Sequence, residues 1–177
     1  MPGYVLTGAP GAGKTALLRL LEVEGHDVVE EAATDVIALE QALGNDEPWT
    51  EEAFIDKVLL LQQQRAARVT SGSAFFDRSP VCTLALSRYL GFAPPRRLLD
   101  EVERVASGST YATTVFLVRN QGFLTPTEAR QIDLQESLVF ERVHEEVYRE
   151  LGFDVVDVPA APLHERASLI ERAVAGG

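Results

Sequence analysis

The chain has 177 residues and 46% hydrophobic content, enough for one domain with a substantial core and little room for a second. Sixteen basic residues against 27 acidic ones give a net charge of −11, and with no Lys/Arg cluster this excludes a duplex nucleic-acid footprint. A single cysteine, Cys82, excludes an internal disulfide and any multi-cysteine zinc site, and His26, His144 and His164 are widely spaced. No apolar run approaches the roughly 18 residues that a membrane span needs, and the first strand begins too early to leave space for a secretory leader. A soluble, cytoplasmic protein is the expectation, as a monomer or homodimer.

Tyr4-Val5-Leu6-Thr7 reads as a short strand and Ala16 to Leu21 as a helix. Between them Gly8-Ala9-Pro10-Gly11-Ala12-Gly13-Lys14-Thr15 fits G-x-x-x-x-G-K-[ST], the phosphate-binding loop, in the strand-to-helix context that the motif requires. Backbone N–H groups from about Gly11 to Thr15, continuing into Ala16, can converge on one anion at the helix N-terminus. Lys14 can reach the β- and γ-phosphates, and the Thr15 hydroxyl can ligate Mg²⁺. ATP and Mg²⁺ are the expected cofactors.

His26 to Glu30 is a second strand, followed by Glu31 and a helix over Ala32 to Ala42. Pro48-Trp49 leads into a long helical pattern through Val69, with Thr50 as its expected N-cap. Ala74-Phe75-Phe76-Asp77 is an apolar strand ending in Asp77-Arg78-Ser79, and Pro80 to Leu90 and Pro95 to Ala106 are helices. A fourth strand spans Thr113 to Val118, and a polar segment follows from Arg119 to Thr127. A long helix over Glu128 to Leu151, a fifth strand over Phe153 to Val158 and a last helix over Leu163 to Val174 complete the order. Five short apolar strands separated by helices predict an α/β, single-domain P-loop NTPase, with a five-stranded parallel sheet and helices on both faces.

Ligands of such sheets lie at the carboxyl ends of the strands, so chemistry is expected there. Asp77 can organise Mg²⁺ or take part in proton removal, and Arg78 can stabilise a phosphoryl group in transit. The alternative is a solvated Asp-Arg pair at a helix start.

With these residues in view, Phe75-Phe76-Asp77-Arg78-Ser79 resembles the [DE]-R-S segment of deoxynucleoside kinases and the Asp-Arg segment of thymidylate kinases. Val28-Val29-Glu30-Glu31-Ala32 is similar to the strand end where deoxynucleoside kinases carry their general base. Over nearly its whole length, 1–177, the chain looks like small stand-alone bacterial AAA family ATPases with a nucleoside/nucleotide-kinase-like fold, related to ribosylnicotinamide kinases. The resemblance implies Glu31 as general base, with Glu30 second. A carboxylate favoured by the dipole of the following helix is the other reading of Glu31. It also implies an arginine-bearing lid over about 119–132, with Arg119 and Arg130 as candidates to touch the phosphoryl group. The turn Pro159-Ala160-Ala161-Pro162 would pack on the adenine face.

Acceptor recognition is expected between the second and third strands. Trp49 can stack on a planar ligand, and Phe54, Gln62, Gln63, Arg65 and Arg68 follow on or near one helix. Trp49 and Phe54 read equally well as core anchors. His144 and Cys82 show no constellation and receive no role. The function implied is ATP-dependent phosphoryl transfer to a hydroxyl of a nucleoside-like or other small metabolite. The alternative is an ATP-hydrolysing regulatory switch with no small-molecule acceptor.

Overall fold

Alternation along the strands sends neighbouring side chains to opposite faces of one sheet. Leu6, Phe75 and Phe116 pack on one face with Leu17, Leu18 and Leu21 and with Ala167 and Ile170. Val5, Phe76 and Val115 pack on the other with Val36, Phe54, Val58, Val81, Leu98 and Val147. Each of these side chains is at most 6% exposed, and burying one of this size contributes roughly 1.5–3 kcal/mol. The sheet is therefore a two-sided core, and its strands are near-continuous apolar runs.

The computed structural model describes residues 3–70, 73–108, 110–122 and 133–176. In chain order the elements are β1 (Gly3–Thr7), α1 (Lys14–Val23), β2 (Asp27–Val29), α2 (Ala33–Ala42), a 3₁₀ turn (Pro48–Thr50), α3 (Ala53–Ala66), β3 (Ala74–Asp77), α4 (Pro80–Leu90), α5 (Arg96–Ser107), β4 (Tyr111–Val118), α6 (Leu134–Glu150), β5 (Asp154–Val158) and α7 (Leu163–Gly176). The strands are all parallel in the order β2-β3-β1-β4-β5. The chain moves from β1 out to β2 and then crosses to β4 on the other side. The crevice at the carboxyl end of β1 is thus a topological switch point, flanked by the ends of β3 and β4. Helices α1 and α7 cover one face, and α2 to α6 the other.

Several expected boundaries differ by a few residues, among them the end of α3 at Ala66 and the start of β4 at Tyr111, and two helix starts are instructive. Thr50 does not cap α3: its hydroxyl donates to the Glu47 carbonyl at 2.7 Å within the 3₁₀ turn, and the helix starts three residues later. Of the long helix expected from Glu128, residues 128–132 lie outside the described residues. Its described part starts at Leu134, behind a capping box in which Asp133 and Glu136 satisfy each other's backbone amides at 2.8 Å. Among the described residues no helix is long and apolar enough to cross a membrane.

Candidate active site

The phosphate loop joins β1 to α1, and its path depends on glycine at two crowded points. Gly8 has φ +126°, and a Cβ there would lie 2.5 Å from the Val118 carbonyl oxygen of β4. Gly13, at φ +89°, immediately precedes α1, and a Cβ would press on Gln121 at 2.8 Å and Arg166 at 3.1 Å. Both are conformations that side chains with a Cβ rarely adopt. Lys14 folds back over the loop, donating from Nζ to the carbonyls of Ala9 at 2.8 Å and Gly8 at 3.2 Å. Burial and the nearby Arg78 charge lower its pKa to about 8.

The loop opens on a cavity of about 450 Å³. Gly11, Gly13, Lys14 and Thr15 of the loop line it, together with Asp77, Arg78 and Glu31. Trp49, Phe54, Val58, Leu86, Tyr89 and Phe140 supply an apolar part of its lining. Tyr89 and Phe140 stack with centroids 4.4 Å apart. Phe54 is 2% exposed and belongs to the core as well as the wall, whereas Trp49 is half-buried. Gln62 also lines the cavity, but its amide is used: it donates to the Ser79 carbonyl at 3.3 Å and accepts from Thr83 at 2.7 Å.

Asp77 ends β3 with its Oδ1 buried and unpartnered. Burial, reinforced by the Glu31 charge, raises its pKa against the pull of Lys14, Arg78 and the Thr15 hydroxyl. A carboxylate oxygen without a donor beside a threonine hydroxyl suits a hard cation such as Mg²⁺.

Arg78 has φ 76°, unusual for a residue with a Cβ, and its amide donates to the Leu6 carbonyl at 3.1 Å. Its Nε donates to Glu31 Oε1, its Nη1 donates to His144 Nε2 at 2.9 Å, and its guanidinium lies 5.8 Å from the Phe140 ring centroid. Burial opposes its charge, but Glu31 holds it firmly protonated. Burial also works against the Glu31 charge, yet Arg78, Lys14 and the Thr34 hydroxyl, 2.9 Å away, bring its pKa down to about 2. Arg65 fixes the backbone here by donating to the Glu30 and Glu31 carbonyls, while its other nitrogen pairs with Asp35.

Other expected positions lie elsewhere. The Glu30 side chain is half exposed, paired with Arg19, and is not part of the cavity wall. The reason is a one-residue step at the end of β2, which turns Glu31 inward and Glu30 outward. Arg119 is held by three carboxylates: Asp157 at 2.6 Å, Glu145 at 2.7 Å and Glu141 at 3.2 Å. Arg130, and most of the expected lid, lie outside the described residues. Pro159 lines a separate cavity of about 400 Å³ with Ala161, His164, Arg166 and Arg172, and Ala160 is exposed in the same turn. Arg68 is exposed.

Several residues without a sequence signal are built into the site. His144 is 0% exposed and bonded to Arg78, which corrects its reading as a residue with no constellation. Cys82 likewise belongs to a buried polar group: its Sγ lies 3.3 Å from Thr7 Oγ1 and 3.2 Å from the Tyr148 hydroxyl. That hydroxyl also meets Ser79 Oγ at 2.7 Å. Arg166, 2% exposed, braces the phosphate loop from behind by donating to the Ala12 carbonyl at 3.0 Å and the Arg119 carbonyl at 3.2 Å.

The same arrangement of strands recurs in solved structures of low sequence identity. Deoxyadenosine kinase from M. mycoides with bound dCTP superposes with a TM-score of 0.64 at 14% identity, over 99% of this chain and 100% of that one. The NadR protein in complex with NR gives 0.63 at 18% identity, over 97% of this chain and 50% of that one. Shikimate kinase from Acinetobacter baumannii in complex with shikimate gives 0.52 at 17% identity, over 99% and 94%. At these identities the likeness is one of fold. No curated protein matches the sequence significantly. A family profile described as an AAA domain matches residues 3–166, nearly the full length, and the chain belongs to that family.

Proposed function

We propose that the protein is an ATP- and Mg²⁺-dependent phosphotransferase acting on a hydroxyl of a small, nucleoside-like metabolite. One observation carries the reading: the phosphate loop, the charged residues Asp77, Arg78 and Glu31, and the aromatic side chains of Trp49, Tyr89 and Phe140 line one cavity. A chamber lined by Trp49, Tyr89 and Phe140 beside the phosphate loop suits a planar organic acceptor. The fold shared with kinases that bind dCTP, NR or shikimate supports the same direction.

The transfer breaks the bond between the γ-phosphorus and the β–γ bridging oxygen and forms one to the acceptor oxygen, releasing ADP and a proton. Lys14 and the loop amides hold the phosphates. Thr15 and Asp77 are the residues that would hold Mg²⁺, whose charge offsets that of the phosphate oxygens. Arg78 supplies a fixed positive charge where the phosphoryl group moves. Glu31, with a pKa near 2, is a weak base. In a loose phosphoryl-transfer transition state the hydroxyl proton leaves late, so Glu31 serves chiefly as the hydrogen-bond acceptor that orients the hydroxyl.

The test is ADP release from Mg²⁺-ATP with and without a panel of nucleosides, ribosylated bases and hydroxylated metabolites, with products weighed by mass spectrometry. An acceptor that raises ADP release and gains the mass of one phosphate is the expected result. Steady hydrolysis that no acceptor alters would replace this reading with the ATPase switch.

A further inference from the structure

Arg78 is fixed on three sides, yet among the described residues only one of its bonded partners, Glu31, carries a negative charge. Glu31 accepts from Nε, His144 accepts from Nη1 at 2.9 Å, and the Phe140 ring lies beneath the guanidinium. Among the described residues nothing accepts from Nη2. The main chain is fixed as well, in its left-handed conformation and tied to Leu6.

The protonation state of His144 follows from its partners. Arginine has no acceptor, so the imidazole nitrogen facing Nη1 must offer a lone pair. The other nitrogen, Nδ1, then carries the hydrogen and donates to the Phe140 carbonyl at 2.8 Å, one turn earlier on α6. Both nitrogens are used, the ring is fully buried, and it packs edge-on against Phe140 with centroids 4.4 Å apart. One neutral tautomer satisfies this geometry.

Neutrality is the informative property. A second carboxylate at this position would orient the guanidinium equally well but, added to Glu31, would more than offset its charge and weaken the attraction for a phosphoryl oxygen. A hydrophobic residue would leave the charge intact but the plane free to turn. We propose that His144 is a positioning residue for phosphoryl transfer: as an uncharged acceptor it locks the plane of Arg78 and leaves Nη2 for the transferring group without offsetting the guanidinium charge beyond what Glu31 already does. This rests on the phosphotransferase reading. It concerns a residue that touches neither substrate in that scheme.

The experiment compares His144→Phe, which keeps the ring volume and loses the acceptor, with His144→Gln, whose amide oxygen can replace it. For the acceptor identified by the panel above, His144→Phe is expected to lower kcat by about 10²-fold, the scale of a small misplacement in an active site, with the KM for ATP little changed. His144→Gln is expected to recover most of that loss. A second readout needs no turnover: the Arg78 Nη1–H resonance, whose acceptor is His144, should be a resolved, slowly exchanging signal in the wild type and in His144→Gln, and should broaden in His144→Phe. An unchanged kcat or an unchanged Arg78 signal in His144→Phe overturns the assignment, as does a glutamine variant as impaired as the phenylalanine one. If the wild type phosphorylates no acceptor, the phosphotransferase reading fails on its own. The resonance then decides alone whether His144 fixes Arg78.

Discussion

Two arginines leave the sheet at corresponding points on either side of β1, Arg78 after β3 and Arg119 after β4, and their surroundings are opposite. Arg78 faces the cavity with one carboxylate, one neutral imidazole and one aromatic ring. Arg119 has Glu141, Glu145 and Asp157 around it. The same helix makes the difference: α6 presents Phe140 and His144 toward Arg78, and Glu141 and Glu145, one turn apart, toward Arg119. An arginine beside three carboxylates has its charge more than offset and its fork occupied. It serves as a tie between β4, β5 and α6, while Arg78 retains charge to act on phosphate.

Exchanging each for alanine should separate these jobs. Arg78→Ala is expected to lower kcat by about 10³-fold or more, the range associated with arginines that stabilise phosphoryl transfer, and also to lower the thermal midpoint by a few degrees because Glu31 loses its cation. Arg119→Ala is expected to act on stability with little effect on kcat. Glu141, only 7% exposed, would keep its bond from the Asn120 amide but lose its cation. Leaving a buried carboxylate so exposed to repulsion from Glu145 should cost about 2 kcal/mol, or roughly 4–8 °C in a chain of this size, with kcat reduced less than tenfold. Steady-state kinetics and calorimetric melts on both variants check the contrast. A large kcat loss in Arg119→Ala with an unchanged melt would return Arg119 to the catalytic role implied by its place at the strand end.

That contrast also marks the limit of what the sequence conveys. Gly8 to Thr15 is legible because its chemistry is local: the anion is bound by consecutive amides, so the pattern lies within eight positions. Asp77 and Arg78 are legible because they end a strand buried throughout. Arg119 has the same local signature, a basic residue after an apolar strand, and only α6 and β5 decide its surroundings. His144 lies 66 positions from Arg78, and Arg166 lies 154 from Ala12, so no spacing rule connects them. The five strands came through, though not their order across the sheet, because turn residues bound nearly every strand. The start of α3 did not, because the 3₁₀ turn uses the Thr50 hydroxyl before the helix begins.

Glu31 offers a smaller test, since among the described residues its carboxylate pairs with Arg78 and with no other arginine. Its pKa in the folded chain is near 2, below the roughly 4.3 of an unfolded glutamate. The group therefore contributes stability at and above the unfolded value, and that contribution disappears as pH falls toward 2. Melts of the wild type and Glu31→Gln should differ by a few degrees at pH 6 and converge between about pH 4 and pH 2. Arg78→Ala should abolish the convergence, and Arg119→Ala should leave it in place.

The finest distinction between the two arginines is the charge each projects onto the phosphate loop. Arg78 is among the causes that lower the Lys14 pKa to about 8, second to burial, and Arg119 is not among them. At pH 8.5 a substantial fraction of Lys14 is therefore neutral in the free protein. The negative charge of a bound triphosphate favours the ammonium form, so ATP binding at that pH should draw in a fraction of a proton, larger than the uptake at pH 7. Binding enthalpies measured in buffers of different ionisation enthalpy give this number directly as a slope. Removing Arg78 takes away a like charge and raises the starting pKa, so the uptake at pH 8.5 should shrink in Arg78→Ala. It should stay at the wild-type value in Arg119→Ala, whose charge is already offset by its own carboxylates. Equal uptake in all three proteins would mean that Arg78 does not reach the loop electrostatically, and the division between the two strand ends would then rest on geometry alone.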